Sequence, residues 1–568
     1  MQIPDKLRWP GGSPGHTFAT LALMLVLSGP AHAQLSDELE RTLSTPNTVI
    51  ERFTPPPKRG TITIEVQDKR RLVPDEEART ILFTLRSVSV EGAVTVSPEV
   101  LAAVWGDKVD TTISLADLYA VADAIEAAYI KAGYYATAVV PEHDVSSGNV
   151  RIVVYESYVR ELTIRSDVPG MERRLRPYID RITAMRPIHI KTAERQLLLM
   201  SDLAGLEING LFKRPEGASG GGSVDLEITF TRATGRVTLD NLGDDTAGPV
   251  ELSGQATFND VFSLFEATNL VGMTIPDAPE ELVFFQLSQD IPIGSHGIHA
   301  GYILTRLTSE PEDPLPIDIN IDVTQASLFA SYPVLRTIRR SLFAGVGFEM
   351  RDTDVEINGN PVLSSRSRWM SASLDLEQAV LRGVAKVGVT VNQGIDGLGA
   401  DDRDDALSGR PGVPPDYRFV SGTLDVSQSL WRRASLRLRG IGQYAEDPLP
   451  AAAQMNLGGD PFGQAFDGSA LSGDSGIAGM VEVNQGVDLK VDWLGRTALF
   501  AFADYGELWN RDVAVDYTHA SLGSAGFGLR ARMADRVQGQ VMLAVPWQVD
   551  DEIDDPGTRV FFRLAAEF

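Results

Sequence analysis

The stretch Val537–Val545 has the sequence VQGQVMLAV, in which two kinds of residue alternate. Successive side chains of a β-strand point to opposite faces, so a strand here would place its valines on one face and its glutamines on the other. Arginines alternate with apolar residues in the same way at four other positions, Arg437, Arg439, Arg530 and Arg532. This pattern is typical of transmembrane strands that face lipid on one side and a polar, basic lumen on the other.

Similar segments, each of roughly 10 to 14 residues, follow one another from Gly235 to Phe568 without a convincing helix. Tight turns are predicted near Asn259–Phe262, Pro292–His296, Leu381–Gly383, Trp431–Arg433 and Ala534–Arg536. Long loops are predicted near Thr308–Asp318, Ile395–Asp416, Asp447–Ser475 and Val549–Pro556. A soluble β-sandwich would also alternate, but alternating loop lengths are the pattern of outer-membrane proteins. A count of about 16 segments predicts a 16-stranded antiparallel transmembrane β-barrel over residues 234–568.

Aromatic residues and the chain end support the same prediction. Tyr332, Trp431, Trp493 and Trp547 fall near strand ends, where the two membrane interfaces would lie. The chain ends in VFFRLAAEF, which places Phe562, Leu564 and Phe568 on one face. A terminal strand of this kind resembles the signal by which the barrel assembly machinery recognises outer-membrane barrels for insertion.

The first 81 residues divide into three predicted segments. Residues 1–33 have a basic start, an apolar core and an A-x-A-like end, which together predict a secretory signal peptide. Residues 34–44 carry leucines four apart, which predicts a short helix, although a frayed terminus is an equal alternative. Residues 45–81 contain a Pro55-Pro56-Pro57 run and are predicted to be an extended linker without a core.

Two similar modules follow, at residues 82–157 and 158–233. Each shows a strand, two helices and two further strands, so the chain is predicted to contain a tandem pair of α+β domains. The clearest helix is Ser114–Ala132, because Leu118, Ala122, Ile125 and Tyr129 form one apolar stripe along it.

The long loop at 447–475 has an unusual composition. It is rich in glycine, yet it carries Phe462, Phe466 and Leu471 as apolar anchors. A loop of this kind is more often packed than solvated. We therefore expect it to fold back into the mouth of the barrel.

Composition excludes several functions. The formal net charge of −26 argues against non-specific nucleic-acid binding. Cysteine is absent, and no nucleophile motif or metal spacing accompanies the seven histidines. We predict no enzyme, catalytic residue, metal site or cofactor. The acidic runs Asp401–Asp405 and Asp550–Asp555 either bind divalent cations near lipopolysaccharide or are simply solvated.

The order of signal, short helix, linker, two modules and barrel resembles the outer-membrane transporters of two-partner secretion. These form the hemolysin/adhesin secretion-activation family of the Omp85 superfamily, and the resemblance covers essentially the whole mature chain. The modules resemble POTRA domains: Tyr129, Gly133-Tyr134, Pro141 and Gly148 match the first POTRA motif of the family, with Glu142 where glutamine is common. Leu239-Asp240-Asn241 and Gly243 resemble its first barrel strand.

The loop carries the most specific part of the resemblance. Gly463, Gln464, Ala465 and Phe466, followed by Asp467 and Gly468, stand at the positions equivalent to the V-R-G-[FY] motif of the family's lumenal loop. In the family the motif arginine pairs with an aspartate on the barrel wall, and Phe502, Asp504 and Gly506 match that wall segment. Gln464 replaces the arginine and lacks its charge-assisted, bidentate hydrogen bonding. This implies either a looser plug or compensation by a lumen arginine such as Arg437 or Arg530.

The resemblance implies a monomeric translocator that moves a large partner exoprotein from the periplasm to the cell surface without ATP. The partner would bind the POTRA modules by strand addition, and the helix at 34–44 would plug the resting pore. An assembly factor of the same superfamily is the alternative, while a porin or TonB-dependent channel fits the two modules poorly.

Overall fold

The computed structural model describes residues 46–56, 58–67, 75–213, 219–243, 248–311, 318–405, 407–410, 412–491, 493–511, 517–533 and 536–568. The predicted signal peptide at 1–33 and the predicted helix at 34–44 lie outside the described residues. None of the helices in the described ranges is long and apolar enough to cross a membrane.

The helices are α1 (46–53), α2 (Asp75–Ala78), α3 (Pro98–Ala102), α4 (Leu115–Lys131), α5 (Met171–Thr183) and α6 (Ile190–Ser201). The strands before the barrel are β1 (Ile62–Gln67), β2 (Leu82–Thr84), β3 (Ser87–Glu91), β4 (Thr112–Ser114), β5 (Ala136–Val139), β6 (Asn149–Glu156), β7 (Tyr158–Ser166), β8 (Leu206–Lys213) and β9 (Gly221–Phe230). The barrel strands, with a small hairpin β21–β22 inserted, are β10 (Ala233–Asp240), β11 (Glu251–Asn259), β12 (Ala267–Thr274), β13 (Val283–Ile293), β14 (Ile298–Ser309), β15 (Ile319–Arg336), β16 (Arg340–Ile357), β17 (Asn360–Val380), β18 (Gly383–Gly394), β19 (Arg418–Ser429), β20 (Ala434–Ala445), β21 (Met455–Leu457), β22 (Leu471–Gly473), β23 (Ser475–Val487), β24 (Leu494–Trp509), β25 (His519–Met533), β26 (Val537–Val549) and β27 (Arg559–Glu567).

The first module packs α4 against a three-stranded sheet of order β3-β6-β5. Ser114 caps α4: its hydroxyl accepts from the Asp117 N–H, and the Asp117 carboxylate accepts from the Ser114 N–H at 2.8 Å. Tyr129 is fully buried, and its hydroxyl donates to Glu156 at 2.9 Å. The apolar stripe predicted for this helix is therefore the core of the module.

The second module has a four-stranded sheet of order β1-β8-β9-β7. Its first strand comes from the predicted linker: β1 runs parallel to β8 along six residue pairs, from Ile62 opposite Ile208 to Gln67 opposite Lys213. Part of the linker is thus a β-strand that covers one edge of this sheet.

Sixteen strands, β10–β20 and β23–β27, form a closed barrel of antiparallel neighbours. This confirms the predicted strand number. The barrel closes where β10 pairs with β27. Asn241 strengthens the seam because its side chain donates to the Val560 carbonyl at 3.0 Å and accepts the Phe562 N–H at 2.6 Å. Arg563 and Asp240 also pair across it at 3.1 Å.

The two faces of the barrel wall differ as the alternation predicts. On β27, Val560, Phe562 and Leu564 are exposed on the outer surface, as is Phe568 directly after the strand, whereas Phe561 and Ala565 are buried inside. The aromatic residues near strand ends are also exposed, with Trp431 at 69% and Trp493 at 62%. Their exposure fits a surface that meets lipid.

One segment differs clearly from expectation. Residues 46–53, predicted to be extended linker, form helix α1. Val49 and Ile50 of this helix are buried against apolar wall residues, among them Phe284 and Val323. The proline-rich sequence that follows suggests an extended chain, but the burial of Val49 and Ile50 favours a helix here.

Candidate functional site: the lumenal loop and its neighbours

The loop between β20 and β23 folds back on itself as a hairpin. Its two short strands, β21 and β22, pair from Met455 opposite Gly473 to Leu457 opposite Leu471. At the tip, Gly463 has φ of +98°, a conformation that side chains other than glycine rarely adopt. A Cβ atom there would also lie 2.7 Å from Leu522, so glycine allows the tip to approach the wall.

The apolar residues of the loop pack on one side of the barrel interior. Phe462, Ala465, Phe466 and Leu471 are buried in a cluster with wall residues that include Phe500, Phe502, Leu508, Leu522, Met542 and Phe561. Leu457 fits against the wall because Gly506 has no side chain; a Cβ there would lie 2.5 Å from it. A water-facing lumen would not normally carry such a patch, so the loop and wall form a small core of their own.

The predicted wall aspartate lies beneath the loop tip. Asp504 is 2% exposed and accepts the main-chain N–H of Gly463 at 2.9 Å and of Gln464 at 3.4 Å. It also accepts the N–H and hydroxyl of Ser524, at 3.1 and 2.6 Å. The structure therefore brings the motif and the wall together through the backbone of the loop, and the carboxylate has neutral donors in place of an arginine.

Ion pairs also hold the loop tip, but in these pairs the acid lies on the loop and the base lies on the wall. Asp467 of the loop forms an ion pair with Arg559 of β27, and both side chains are largely buried. Asp460 lies 3.9 Å from Arg439 and 3.8 Å from Arg563. Sequence reasoning missed Arg559, because an ion pair between residues 92 positions apart leaves no local signal.

Two of the predicted lumen arginines bind elsewhere. Arg437 pairs with Asp425 at 2.6 Å, and Arg530 pairs with Glu482 at 2.7 Å. Neither therefore takes the place of the motif arginine at Asp504. Arg532 pairs with Glu567 at 3.5 Å, near the end of the barrel where β10 begins.

A buried aspartate fastens the outer end of the loop. Asp474 is fully buried and pairs with Arg410 at 2.6 Å. It also accepts the N–H groups of Leu449 at 3.0 Å and Arg511 at 2.8 Å. Three surface loops thus meet on one carboxylate.

Helix α1 lies in the lumen between this loop and the opposite wall. Thr48 and Ser469 of the loop have their hydroxyl oxygens 2.5 Å apart. On the wall side, Phe53 stacks on Phe284 with ring centroids 5.3 Å apart, and Arg52 forms an ion pair with Glu251. The helix therefore contacts both the loop and the barrel.

The chain that follows α1 is held where the second module meets the barrel. Arg336 of β15 binds both oxygens of Asp202, at 2.6 and 2.9 Å, and donates to the Gly60 carbonyl at 2.6 Å. Asp202 in turn accepts the Gly60 N–H at 2.8 Å. Lys58 donates to the Leu206 carbonyl at 3.2 Å, and burial lowers the pKa of its ammonium group to about 8, an effect that nearby Asp202 partly opposes. We call the group Gly60, Asp202 and Arg336 the linker clamp.

Within the described ranges, no group of three or more His, Asp or Glu side chains is arranged to hold a metal ion.

Comparisons with known proteins place these features in a family. The family described as haemolysin secretion/activation protein ShlB/FhaC/HecB matches residues 223–531, which is more than half of the chain. The ShlB-type POTRA domain matches residues 83–157.

Individual relatives agree. The outer membrane transporter CdiB of Escherichia coli is 24% identical over 521 residues, which are 86% of this chain and 82% of that protein. CdiB of Dickeya dadantii is 26% identical over 441 residues, 74% of this chain and 75% of that protein.

Solved structures show the same fold. CdiB from Escherichia coli superposes with a TM-score of 0.70 at 19% identity, covering 96% of this chain and all of that one. CdiB from Acinetobacter baumannii gives a TM-score of 0.62 at 15% identity, with coverage of 95% and 100%.

These matches decide between the two functions that the sequence left open, in favour of secretion over assembly. The modules are POTRA domains in the periplasm, and the barrel lies in the outer membrane. The chain belongs to the haemolysin secretion/activation family ShlB/FhaC/HecB, the outer-membrane transporters of two-partner secretion.

Proposed function

We propose that the chain exports one large exoprotein of the hemolysin or adhesin type, that it does so without ATP, and that α1 and the lumenal loop close its resting pore. The observation that carries this proposal is the position of α1, which contacts the loop through Thr48 and the opposite wall through Phe53. A helix so placed obstructs a passing polypeptide. The plug is thus assigned to residues 46–53, and the part proposed for residues 34–44 lies outside the described chain.

Recognition of the exoprotein is assigned to the POTRA domains. An unfolded client can add as a strand to a sheet edge, since main-chain hydrogen bonds do not require a particular sequence. The strands at the outer edges of the two sheets are β3 and β5 in the first domain and β7 in the second, whereas β1 covers β8. A client that adds beside β8 must first displace β1, which would pull on the linker and on α1.

The loop is proposed to be held by two devices in place of the family's arginine pair. The first is the Asp504 carboxylate, which accepts the backbone of Gly463 and Gln464. The second is the reversed ion pair, with the acid, Asp467, on the loop and the base, Arg559, on the wall. Together they supply a charged contact that Gln464 cannot make.

The location of the barrel in the outer membrane implies further partners. The exposed apolar face of β27, which carries Phe562, Leu564 and Phe568, would be read by the barrel assembly machinery during insertion. The barrel would then contact lipid and lipopolysaccharide as a monomer.

The test is secretion of an exoprotein encoded beside this chain, expressed with and without it in an outer-membrane host. We expect the exoprotein in the medium only when this chain is present. An assembled barrel that leaves the exoprotein in the periplasm would refute the proposal.

A further inference from the structure

A cavity of about 1000 Å³ opens at the periplasmic half of the lumen, on the side of the wall that carries the loop. It is bounded by the ends of β20, β23–β27 and β10. Its charged lining residues are Arg236, Arg433, Arg496, Arg530, Arg532, Arg563 and Asp488. Six arginines therefore face one aspartate in a chain whose net charge is −26.

Carboxylates at the edge of the cavity offset part of this charge. Glu482 holds Arg530, and Glu567 lies 3.5 Å from Arg532 and 4.0 Å from Arg236. Glu482 is itself only 6% exposed, whereas the side chains of Arg532 and Arg236 are each 42% exposed. Glu567 is itself 38% exposed, Asp488 pairs with Arg433, and Asp240 pairs with Arg563. The six arginines of the cavity thus exceed the four carboxylates Glu482, Glu567, Asp488 and Asp240 by two positive charges.

A second cavity, of about 820 Å³, lies beneath α1 on the other side of the lumen and has the opposite character. Serine, threonine, asparagine and glutamine predominate in its lining. Its charged residues are Lys58 and Arg59 against Asp202, Glu207, Asp290, Glu349 and Asp375. The periplasmic vestibule is therefore divided into a basic side and an acidic side.

The inner end of the basic cavity already holds a carboxylate. Asp460, at the tip of the loop, lies between Arg439 and Arg563 at 3.9 and 3.8 Å. Arg563 lines the cavity as well, so one arginine contacts both the cavity and the loop tip. A carboxylate arriving from the periplasm would meet the same guanidinium group that now faces Asp460.

We propose that this basic cavity binds an acidic stretch of the unfolded exoprotein and leads it to the loop tip, where its carboxylates compete with Asp460. Guanidinium groups suit this ligand because they remain charged and bind carboxylates with paired N–H donors. The acidic side of the vestibule repels the same stretch, so the electrostatic field of the lumen directs the stretch to the basic side. The proposal rests on the proposed export function and adds the chemical class of segment that the pore accepts first.

Binding can be tested without the exoprotein. The full chain in nanodiscs is titrated with fluorescent deca-glutamate, with deca-glutamine as the neutral control, and anisotropy is followed at low and high salt. We expect deca-glutamate to bind, to weaken as salt rises, and to bind about fivefold or more weakly to an Arg496→Gln/Arg532→Gln double variant. Deca-glutamine should bind none of these proteins measurably.

The matched control is Arg340→Gln, which removes an arginine at the start of β16 that does not line the cavity. Equal affinity of the double variant and the Arg340→Gln variant for deca-glutamate would overturn the proposal, as would equal binding of deca-glutamine. Heat-modifiable mobility on gels verifies that each variant barrel is folded. This binding measurement contains no exoprotein, so it is independent of the secretion assay. A failure to bind deca-glutamate would not change the result of the secretion assay, and a failed secretion assay would not change the result of the binding measurement.

Discussion

At the loop tip, neutral donors bind the wall aspartate Asp504. Asp504 has four hydrogen-bond donors, all of them from main-chain N–H groups or a hydroxyl. Backbone donors do not depend on which side chain stands at position 464, so glutamine is tolerated there. Asp467 and Arg559 form an ion pair between the same two parts of the molecule, and we propose that this pair supplies the charged contact.

The reversed ion pair leads to a charge-swap prediction. Asp467→Asn or Arg559→Gln removes the ion-pair partner of a largely buried charge, which costs about 1–3 kcal/mol and should increase loop opening about five- to 140-fold. Cleavage of the loop by external protease on whole cells measures this opening. The double variant Asp467→Arg/Arg559→Asp should recover much of the protection; a double variant as sensitive as the single variants would show that the pair does not hold the loop.

Gly60 of the linker clamp leads to the second prediction at this scale. A Cβ atom at position 60 would lie 2.1 Å from the Ser201 carbonyl oxygen, so Gly60→Ala must push the linker away. Overpacking of this kind costs about 1–3 kcal/mol, and α1 should leave the lumen correspondingly more often. Basal conductance in planar bilayers should rise. Gly254→Ala is the control, because nothing lies within 4 Å of a Cβ there, and equal conductance of the two variants would count against the clamp.

Among the elements, β1 joins the second POTRA domain to the helix in the pore. It pairs with β8 in the second POTRA domain and is joined by a short linker to α1 in the lumen. Displacing β1 removes six residue pairs from the sheet and frees the chain that positions α1. In the proposed mechanism, the strand connects the edge that binds the client to the helix that plugs the pore.

A disulfide between β1 and β8 tests this connection. Thr63 and Asn209 are register partners, and the chain has no native cysteine to interfere. We expect oxidised Thr63→Cys/Asn209→Cys protein to secrete its exoprotein poorly and to recover when a reductant is added. Each single cysteine variant serves as the control. Undiminished secretion with the disulfide formed would mean that β1 stays in place during transport.

Across the whole molecule, the parts predictable from sequence are those with a repeating pattern. Period-two alternation, as in Val537–Val545, gave the barrel and its 16 strands, and the apolar stripe of α4 gave the first POTRA core. The glycine-rich loop with Phe462 and Phe466 was expected to pack into the barrel, and both phenylalanines are buried.

What could not be predicted depends on contacts between distant residues. The helical state of residues 46–53 depends on burial of Val49 and Ile50 against the wall. The parallel pairing of β1 with β8 joins segments about 145 residues apart, and nothing near Ile62 indicates its partner. Arg559 likewise reaches its ion-pair partner Asp467 only when the barrel closes.

The most direct test of the proposed mechanism is a tether between the plug and the loop. The hydroxyl oxygens of Thr48 and Ser469 are 2.5 Å apart, so a Thr48→Cys/Ser469→Cys pair is positioned to form a disulfide with little movement. With the disulfide formed, exoprotein should accumulate in the periplasm and basal conductance should fall. A reductant should restore secretion and basal conductance. Secretion at the wild-type rate with the disulfide intact would contradict the claim that α1 must separate from the loop before a polypeptide can pass.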